Sequence, residues 1–191
     1  MQLLGIQSAS LTPLVINGRE VLSGIRKKPL AGRVRVSKLG LVGDQQADLS
    51  VHGGLRKALY AFPVEHYPYW QKLAQKSGID IPLPYGFMGE NLTLQGLLEE
   101  ELFVGDEIHF EHCILRLTQP REPCFKLNAV FRHNKAARLM AETGFCGFYL
   151  SVIKPGSLEA GESFTLVSGA RSTAILSLFR VSKAKTRNDP G

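Results

Sequence analysis

Cys124 stands in the run Gln119-Pro120-Arg121-Glu122-Pro123-Cys124-Phe125-Lys126-Leu127. Prolines on both sides keep this stretch out of a helix interior and bias the residues before them toward extended geometry, so the thiol is expected on a stiff loop. Arg121 and Lys126 are close in sequence, and nearby cations favour the thiolate, which is both the nucleophile and the soft metal ligand. Metal or sulfur chemistry is the functional reading. The competing one is a buried, inert cysteine, since free cysteines are commonly buried.

Two further constellations carry chemistry. Gly43-Asp44-Gln45-Gln46-Ala47-Asp48 is followed by Val51-His52-Gly53-Gly54-Leu55-Arg56-Lys57-Ala58. Adjacent glycines let backbone N–H groups approach a ligand closely, and Arg56 and Lys57 add charge suited to a phosphate. Taken alone, His52-Gly53-Gly54 reads more often as a turn with a surface histidine. In Met88-Gly89-Glu90-Asn91-Leu92-Thr93, a carboxylate and an amide just before a strand suit orientation of a polar substrate or a water. Taken alone, that run reads as a turn whose Glu90 or Asn91 caps backbone groups. Cys113, within His112-Cys113-Ile114-Leu115, and Cys146, between Gly144 and Gly147, read as structural. His66, His109, His112 and His133 are scattered and show no ligand pattern.

The elements that must position these groups are mostly strands, because the dominant period is two. Leu3–Ser8 is one. Leu14-Val15-Ile16 and Glu20-Val21-Leu22 flank Asn17-Gly18, a strong hairpin signal. Strands are also expected at Arg33–Leu39, Leu102–Val104, Glu107–Phe110, Cys113–Thr118, Gly147–Ile153 and Ser163–Val167. Helices are fewer: Val64–Lys76, starting after Pro63 and ending at Gly78, and a second capped by Asn134 and ending at Gly144. Tyr60, Phe62, Tyr67, Tyr69 and Trp70 read as packing between helix and strands rather than a stacking platform. Many short strands with glycine-rich turns point to a mainly β fold, a closed or nearly closed β-barrel with a few peripheral α-helices. Ser172–Val181 has apolar residues for one or two helical turns, and Lys183–Gly191 reads as disordered.

At 191 residues the chain suits one domain with a substantial core. No apolar run approaches the length of a membrane helix, and the start lacks the pattern of a signal peptide, so the expectation is a cytoplasmic protein without membrane association. Three cysteines without a C-x-x-C pair suit reduced thiols. No compact Cys/His cluster favours zinc. The net charge of +6 is carried partly by Arg26-Lys27-Lys28 and partly by the last stretch. Such a balance serves nucleic acid, a phosphate-bearing cofactor or solvation equally well, but the RNA-module signatures and basic–aromatic stripes of nucleic-acid binders are missing.

In their order, Gly43-Asp44-x-x-Ala47-Asp48, His52-Gly53-Gly54-x-x-Lys57-Ala58, the Tyr67…Trp70 helix, Gly89-Glu90-Asn91-Leu92, Val104-Gly105-Asp106 and Gln119-Pro120-Arg121-x-Pro123-Cys124 resemble the MOSC domain family, named for the C-terminal domain of molybdenum-cofactor sulfurases, in its YiiM-like bacterial branch. The resemblance runs from about Leu3 to about Val167, giving a domain over 1–167 and a short basic tail over 168–191. It implies a β-barrel that binds molybdenum cofactor with Cys124 as the metal ligand, and it carries a family-level association with pyridoxal phosphate binding. It also implies reduction of N-hydroxylated compounds such as 6-hydroxylaminopurine to amines. Arg121 and Lys57 are the first candidates for the pterin phosphate, with Arg56, Arg26, Lys27, Gly53 and Gly54 behind them. Glu90, Asn91 and His52 are expected on the substrate side. The chain has no flavin fingerprint and no iron–sulfur motif, so a separate reductase is the expected electron donor. A second reading makes the chain a sulfur carrier or cofactor-handling protein in which Cys124 holds a persulfide or the cofactor. A third makes it a barrel that binds a phosphorylated ligand without catalysis. Relatives of this branch usually continue into a helical C-terminal segment, whereas the stretch from Ser168 is short, basic and holds one plausible helix.

Overall fold

The structure, a computed structural model, describes residues 1–16, 18–47 and 53–179. Asn17, Asp48, His52 and the stretch 180–191 lie outside the described residues, and with them the expectation of a disordered end.

Thirteen strands form among the described residues: β1 (Gln2–Ser8), β2 (Thr12–Ile16), β3 (Arg19–Ser23), β4 (Lys28–Pro29), β5 (Val34–Ser37), β6 (Gly40–Leu41), β7 (Leu59–Pro63), β8 (Leu92–Gln95), β9 (Glu107–His109), β10 (Ile114–Pro120), β11 (Phe148–Lys154), β12 (Gly156–Leu158) and β13 (Thr165–Val167). Three helices lie wholly within the described residues: α1 (Tyr67–Lys76), α2 (Lys126–Phe131) and α3 (Ala136–Thr143). The expectation of a mainly β fold with a few helices holds. Among the described residues a closed ring of strands does not form: the main sheet is an eight-stranded ladder in the order β13-β9-β10-β11-β7-β8-β1-β4. Its far sides meet at an isolated bridge, Gln2 with Ser163, and through Leu3 N–H to Glu162 O at 2.9 Å. Gly161 N–H to Leu3 O at 2.7 Å and Phe164 N–H to Met1 O at 3.3 Å flank that bridge, and the chain turns at Gly161 (φ 96°), so the contact ends there.

The expected hairpin is present as β2 and β3, in continuous antiparallel register from Thr12↔Ser23 to Ile16↔Arg19. Leu102–Val104 is not a strand. Phe103 makes only an isolated bridge to Ala174, because Gly105-Asp106 turns the chain at once and Asp106 Oδ2 accepts Phe103 N–H at 3.1 Å. The second expected helix is α3, ending at Gly144 in the left-handed region (φ 77°). Asn134 does not cap it: Lys135 holds the N-cap position, and Ala137 N–H donates to Asn128 Oδ1 at 2.8 Å instead.

β7 is buried along its whole length, antiparallel to β11 on one side and parallel to β8 on the other. α1 makes the crossover between β7 and β8, as parallel neighbours require. One core fills the sheet, with Leu3, Leu59, Leu92, Leu115 and Leu150 fully buried. A second, aromatic core seats the helices: Trp70 packs on Phe131 at 5.3 Å between ring centroids, beside Phe62, Leu127, Met140 and Cys146. Burying each such large side chain contributes about 1.5–3 kcal/mol. Tyr60, Phe62, Tyr67 and Trp70 thus pack helix to sheet, as their grouping suggests. Part of the stretch read as tail also belongs to this body: the helical turn at 175–179 buries Ile175 and Phe179.

Candidate functional site

β10 and β11 pair up to Pro120↔Phe148, with a register shift between Leu117 and Gln119 that bends this end of the ladder. The chain leaves β10 here, runs through Arg121–Phe125 into α2 and α3, and returns through Gly144–Gly147 into β11. Two loops therefore depart from the same end of one strand pair, tied by Arg121 N–H to Gly147 O at 3.1 Å. Gly147 is where glycine is needed. Its φ is +67°, and a Cβ there would lie 2.3 Å from the Ala61 carbonyl oxygen of β7.

These loops, the ends of β3 and β7, and the turns carrying Lys27, Asp44 and Asn91 enclose a pocket of about 630 Å³, its open mouth included. Cys124 lines it, half-buried, one turn ahead of α2, with its carbonyl accepting Leu127 N–H at 2.9 Å. Lys27, Lys57, Arg121 and Lys126 line the same space. Arg121 is buried, its guanidinium 5.1 Å from the centroid of Tyr60 and Nη1 3.2 Å from Met140 Sδ. It makes no ion pair with a carboxylate among the described residues. Lys57 sits with Nζ 5.4 Å from the centroid of Tyr149, and Lys126 Nζ donates to Leu22 O at 3.4 Å.

The polar wall is organised by Asp44. It accepts from Ala9 N–H at 2.8 Å and from Asn91 Nδ2 at 2.9 Å, and Lys27 Nζ donates to both its oxygens, at 2.5 and 2.7 Å. Lys27 and Asp44 side chains are only 6% and 4% exposed, so their charges offset each other inside the wall. Burial lowers the Lys27 pKa, against the opposing attraction of Asp44. Asn91 is a three-way clamp: Nδ2 also reaches Gln7 O at 3.2 Å, and Oδ1 accepts Tyr60 N–H at 3.1 Å. With Asp44 paired, the remaining lining charge is positive.

The structure thus brings Cys124, Arg121, Lys57, Lys27 and Asn91 together. It does not bring Glu90, Arg26, Arg56, Gly53 or Gly54 to the pocket. Glu90 lies behind Asn91, fully buried, with Oε1 accepting from the Tyr67 hydroxyl, Gly86 N–H and Thr93 Oγ1, and Oε2 without a partner. Desolvation raises its pKa. Arg26 is exposed and lines another cavity, because Lys27 alone of the basic triplet turns inward. Arg56 is exposed in the 3₁₀ turn Leu55–Lys57, which Gly53 and Gly54 lead into without lining the pocket. His52 lies outside the described residues. Cys113 and Cys146 are fully buried, and burial pushes the Cys113 thiol up to about 12 and the Cys146 thiol higher still. Sequence reasoning did not rank Asp44, Tyr60 or Tyr149. Asp44 stood in the Gly43–Asp48 motif, and its place in that motif was the available signal.

A lone soft thiol lining one pocket with Lys57, Arg121 and Lys126, beside the paired Lys27 and Asp44, fits an anionic, metal-bearing cofactor. Among the described residues no three His, Cys, Asp or Glu side chains group to hold a metal, so a metal at Cys124 would bring its other ligands with it. The family model for the MOSC domain matches residues 48–165, more than half of the chain. The chain belongs to the MOSC domain family. Within it the chain is YiiM-like. It is 39% identical over 146 residues to Protein YiiM of Escherichia coli K12, covering 76% of this chain and 64% of that one. The crystal structure of YiiM from Geobacillus stearothermophilus superposes with a TM-score of 0.75 at 30% identity, covering 98% of this chain and 86% of that one. A Gibberella moniliformis protein named Reductase is 31% identical over 170 residues, 88% of this chain but only 30% of the fungal protein. The chain therefore spans less than two thirds of the length of either curated relative. MOSC domains are associated with molybdenum cofactor. No helix among the described residues is long and apolar enough to cross a membrane.

Proposed function

We propose that this MOSC protein is a molybdenum-cofactor-dependent oxidoreductase that reduces N-hydroxylated compounds, 6-hydroxylaminopurine among them, to amines. The observation that carries this reading is the convergence of the Cys124 thiol with Lys57, Arg121 and Lys126 in one pocket. Family membership supports it, and so does the name of the fungal relative. That relative is about three times longer than the matched region, which accords with a domain that draws electrons from a separate module.

When bound, the cofactor would supply the electron pair that cleaves the N–O bond; the protein's part is binding, orientation and electrostatics. Cys124 is the metal ligand. Arg121, held against Tyr60 and always charged, and Lys57, over Tyr149, hold the pterin phosphate. Asn91 and Asp44 fix the wall that faces the substrate. Glu90, turned away from the pocket, supports that wall from behind. Electrons come from an external reductase.

The test is metal and pterin content of protein expressed in a cofactor-competent host, wild type beside Cys124→Ala, with reduction of 6-hydroxylaminopurine by an artificial donor. Wild type should carry molybdenum and turn over; Cys124→Ala should lose at least ~100-fold in both while keeping its fold, as loss of a sole protein ligand implies. Full activity in Cys124→Ala would sink the proposal. Molybdenum retained by wild type without turnover would move the chain to cofactor handling.

A further inference from the structure

The basic triplet Arg26-Lys27-Lys28 is split by the fold, and its outer members serve no role in the Cys124 pocket. Lys27 turns inward to Asp44. Arg26 and Lys28 instead line a second cavity on the other side of the same wall, of about 1010 Å³ with its open mouth included. Ala9 lies between the two spaces: it lines the second cavity, and its N–H donates to Asp44 at 2.8 Å.

We infer that this second cavity is a binding site for the phosphate group of a small phosphate ester. The lining supplies Arg26, Lys28, Ser8, Ser10 and Thr12, and no carboxylate. The two cations make no ion pair with a described carboxylate, and the three hydroxyls make no side-chain hydrogen bond to a described residue, so all five groups are available to a ligand. The placement is set by backbone pairing. β1 and β4 are antiparallel with Ser8 opposite Lys28, so hydroxyl and ammonium sit side by side at the outer edge of the ladder. Two cations with adjacent hydroxyl donors, and no acid to repel an anion, form a receptor for a phosphate monoester; Arg26 suits the oxygens in bidentate fashion and Lys28 as a point charge. The cavity exceeds what a bare phosphate fills, which favours an ester over the free ion.

The test is amide chemical-shift mapping of the full chain titrated with inorganic phosphate and, separately, ribose 5-phosphate. Saturable shifts are expected at residues 8–12 and 26–30, with the ester binding more tightly. Arg26→Glu/Lys28→Glu should abolish them, and the milder Arg26→Gln/Lys28→Gln should weaken binding at least ~10-fold while the spectrum confirms an intact fold. Arg121→Gln, in the Cys124 pocket, should leave them unchanged. Shifts confined to the Cys124 pocket, shifts lost in Arg121→Gln but kept in the Arg26/Lys28 variants, or no saturable shift would each overturn the assignment.

Discussion

The loop that carries Cys124 and the loop that carries Cys146 leave the same end of the β10–β11 pair, yet they are built to opposite ends. The Cys146 loop is fixed. Glu99 Oε1 accepts Cys146 N–H at 3.1 Å and Gly147 N–H at 2.6 Å, the Tyr60 hydroxyl donates to Cys146 O at 2.8 Å, and Glu99 Oε2 is paired with His66 at 2.7 Å. His66 in turn stacks on Phe145 at 4.1 Å. The Cys124 loop has no carboxylate anchor among the described residues. Its backbone is held by one bond to Gly147, two from the first turn of α2 and one from the Arg121 guanidinium to Glu122 O, and its thiol lines the pocket. The same residue type is thus structural in one loop and available in the other, and burial decides which. The rigid loop is the surface against which the available one is placed.

Thiol reactivity breaks this comparison most directly. A thiol held at about 12, as burial holds Cys113, has on the order of a thousandth of the thiolate of an ordinary thiol near pH 8. Cys146 is buried further from ionisation. Iodoacetamide should therefore label the native, cofactor-free chain once, at Cys124, at least ~100-fold faster than at Cys113 or Cys146. Peptide mapping by mass spectrometry reads the outcome. Cofactor-loaded protein should be protected, and equal labelling of Cys146 would erase the contrast between the loops.

The anchor itself comes next in size. Glu99→Ala leaves two buried backbone N–H groups and His66 without an acceptor, which should cost about 3–5 kcal/mol in urea unfolding. Glu99→Gln keeps an acceptor for both N–H groups and should cost roughly half as much. Because Arg121 is bonded to Gly147, cofactor retention should fall with stability in Glu99→Ala. A loss under about 1 kcal/mol, the net worth of a single ordinary hydrogen bond, would mean that the Cys146 loop is not held by this carboxylate.

Much of the Cys124 side of this contrast was legible in the sequence, and the Cys146 side was not. Proline spacing placed Cys124 on a loop, and the order of motifs placed Lys57, Asn91 and Arg121 near it. The Asn17-Gly18 hairpin, α1 and the Gly144 stop followed from local turn and cap chemistry. β7 did not, because all five of its residues are buried and it shows no alternation to read. α2 was hidden by Pro123, although Leu127 and Phe131 stand at i, i+4 and are both buried. The His66–Glu99 pair joins residues 33 apart, and no local pattern announces it. Arg26 and Lys27 looked equivalent in sequence, and only the turn of the chain between them separates their partners. The many strands were visible in the period of two, but that period could not say whether the edges of the sheet would pair.

Glu90 sharpens the comparison with the smallest effect, because it is a buried carboxylate like Glu99 but differently served. Three donors crowd one oxygen, from Tyr67, Gly86 and Thr93, and the other has none. The donors favour the charged form, but desolvation is the larger influence and raises the pKa from 4.5. Below the ordinary value, folded and unfolded chains both hold the proton, and Glu90 contributes no pH dependence. As pH rises above about 4.5 the unfolded chain ionises first, so stability falls until the raised folded value is passed and then levels off. The loss amounts to about 1.4 kcal/mol for every pH unit separating the folded from the unfolded value. Glu90→Gln keeps a carbonyl acceptor for the three donors and cannot ionise. Urea midpoints measured from about pH 4 to pH 8 should therefore show wild type losing ground to Glu90→Gln across that window, with the curves parallel below it. The opposite slope would mean that the three donors outweigh desolvation and hold Glu90 ionised in the folded chain.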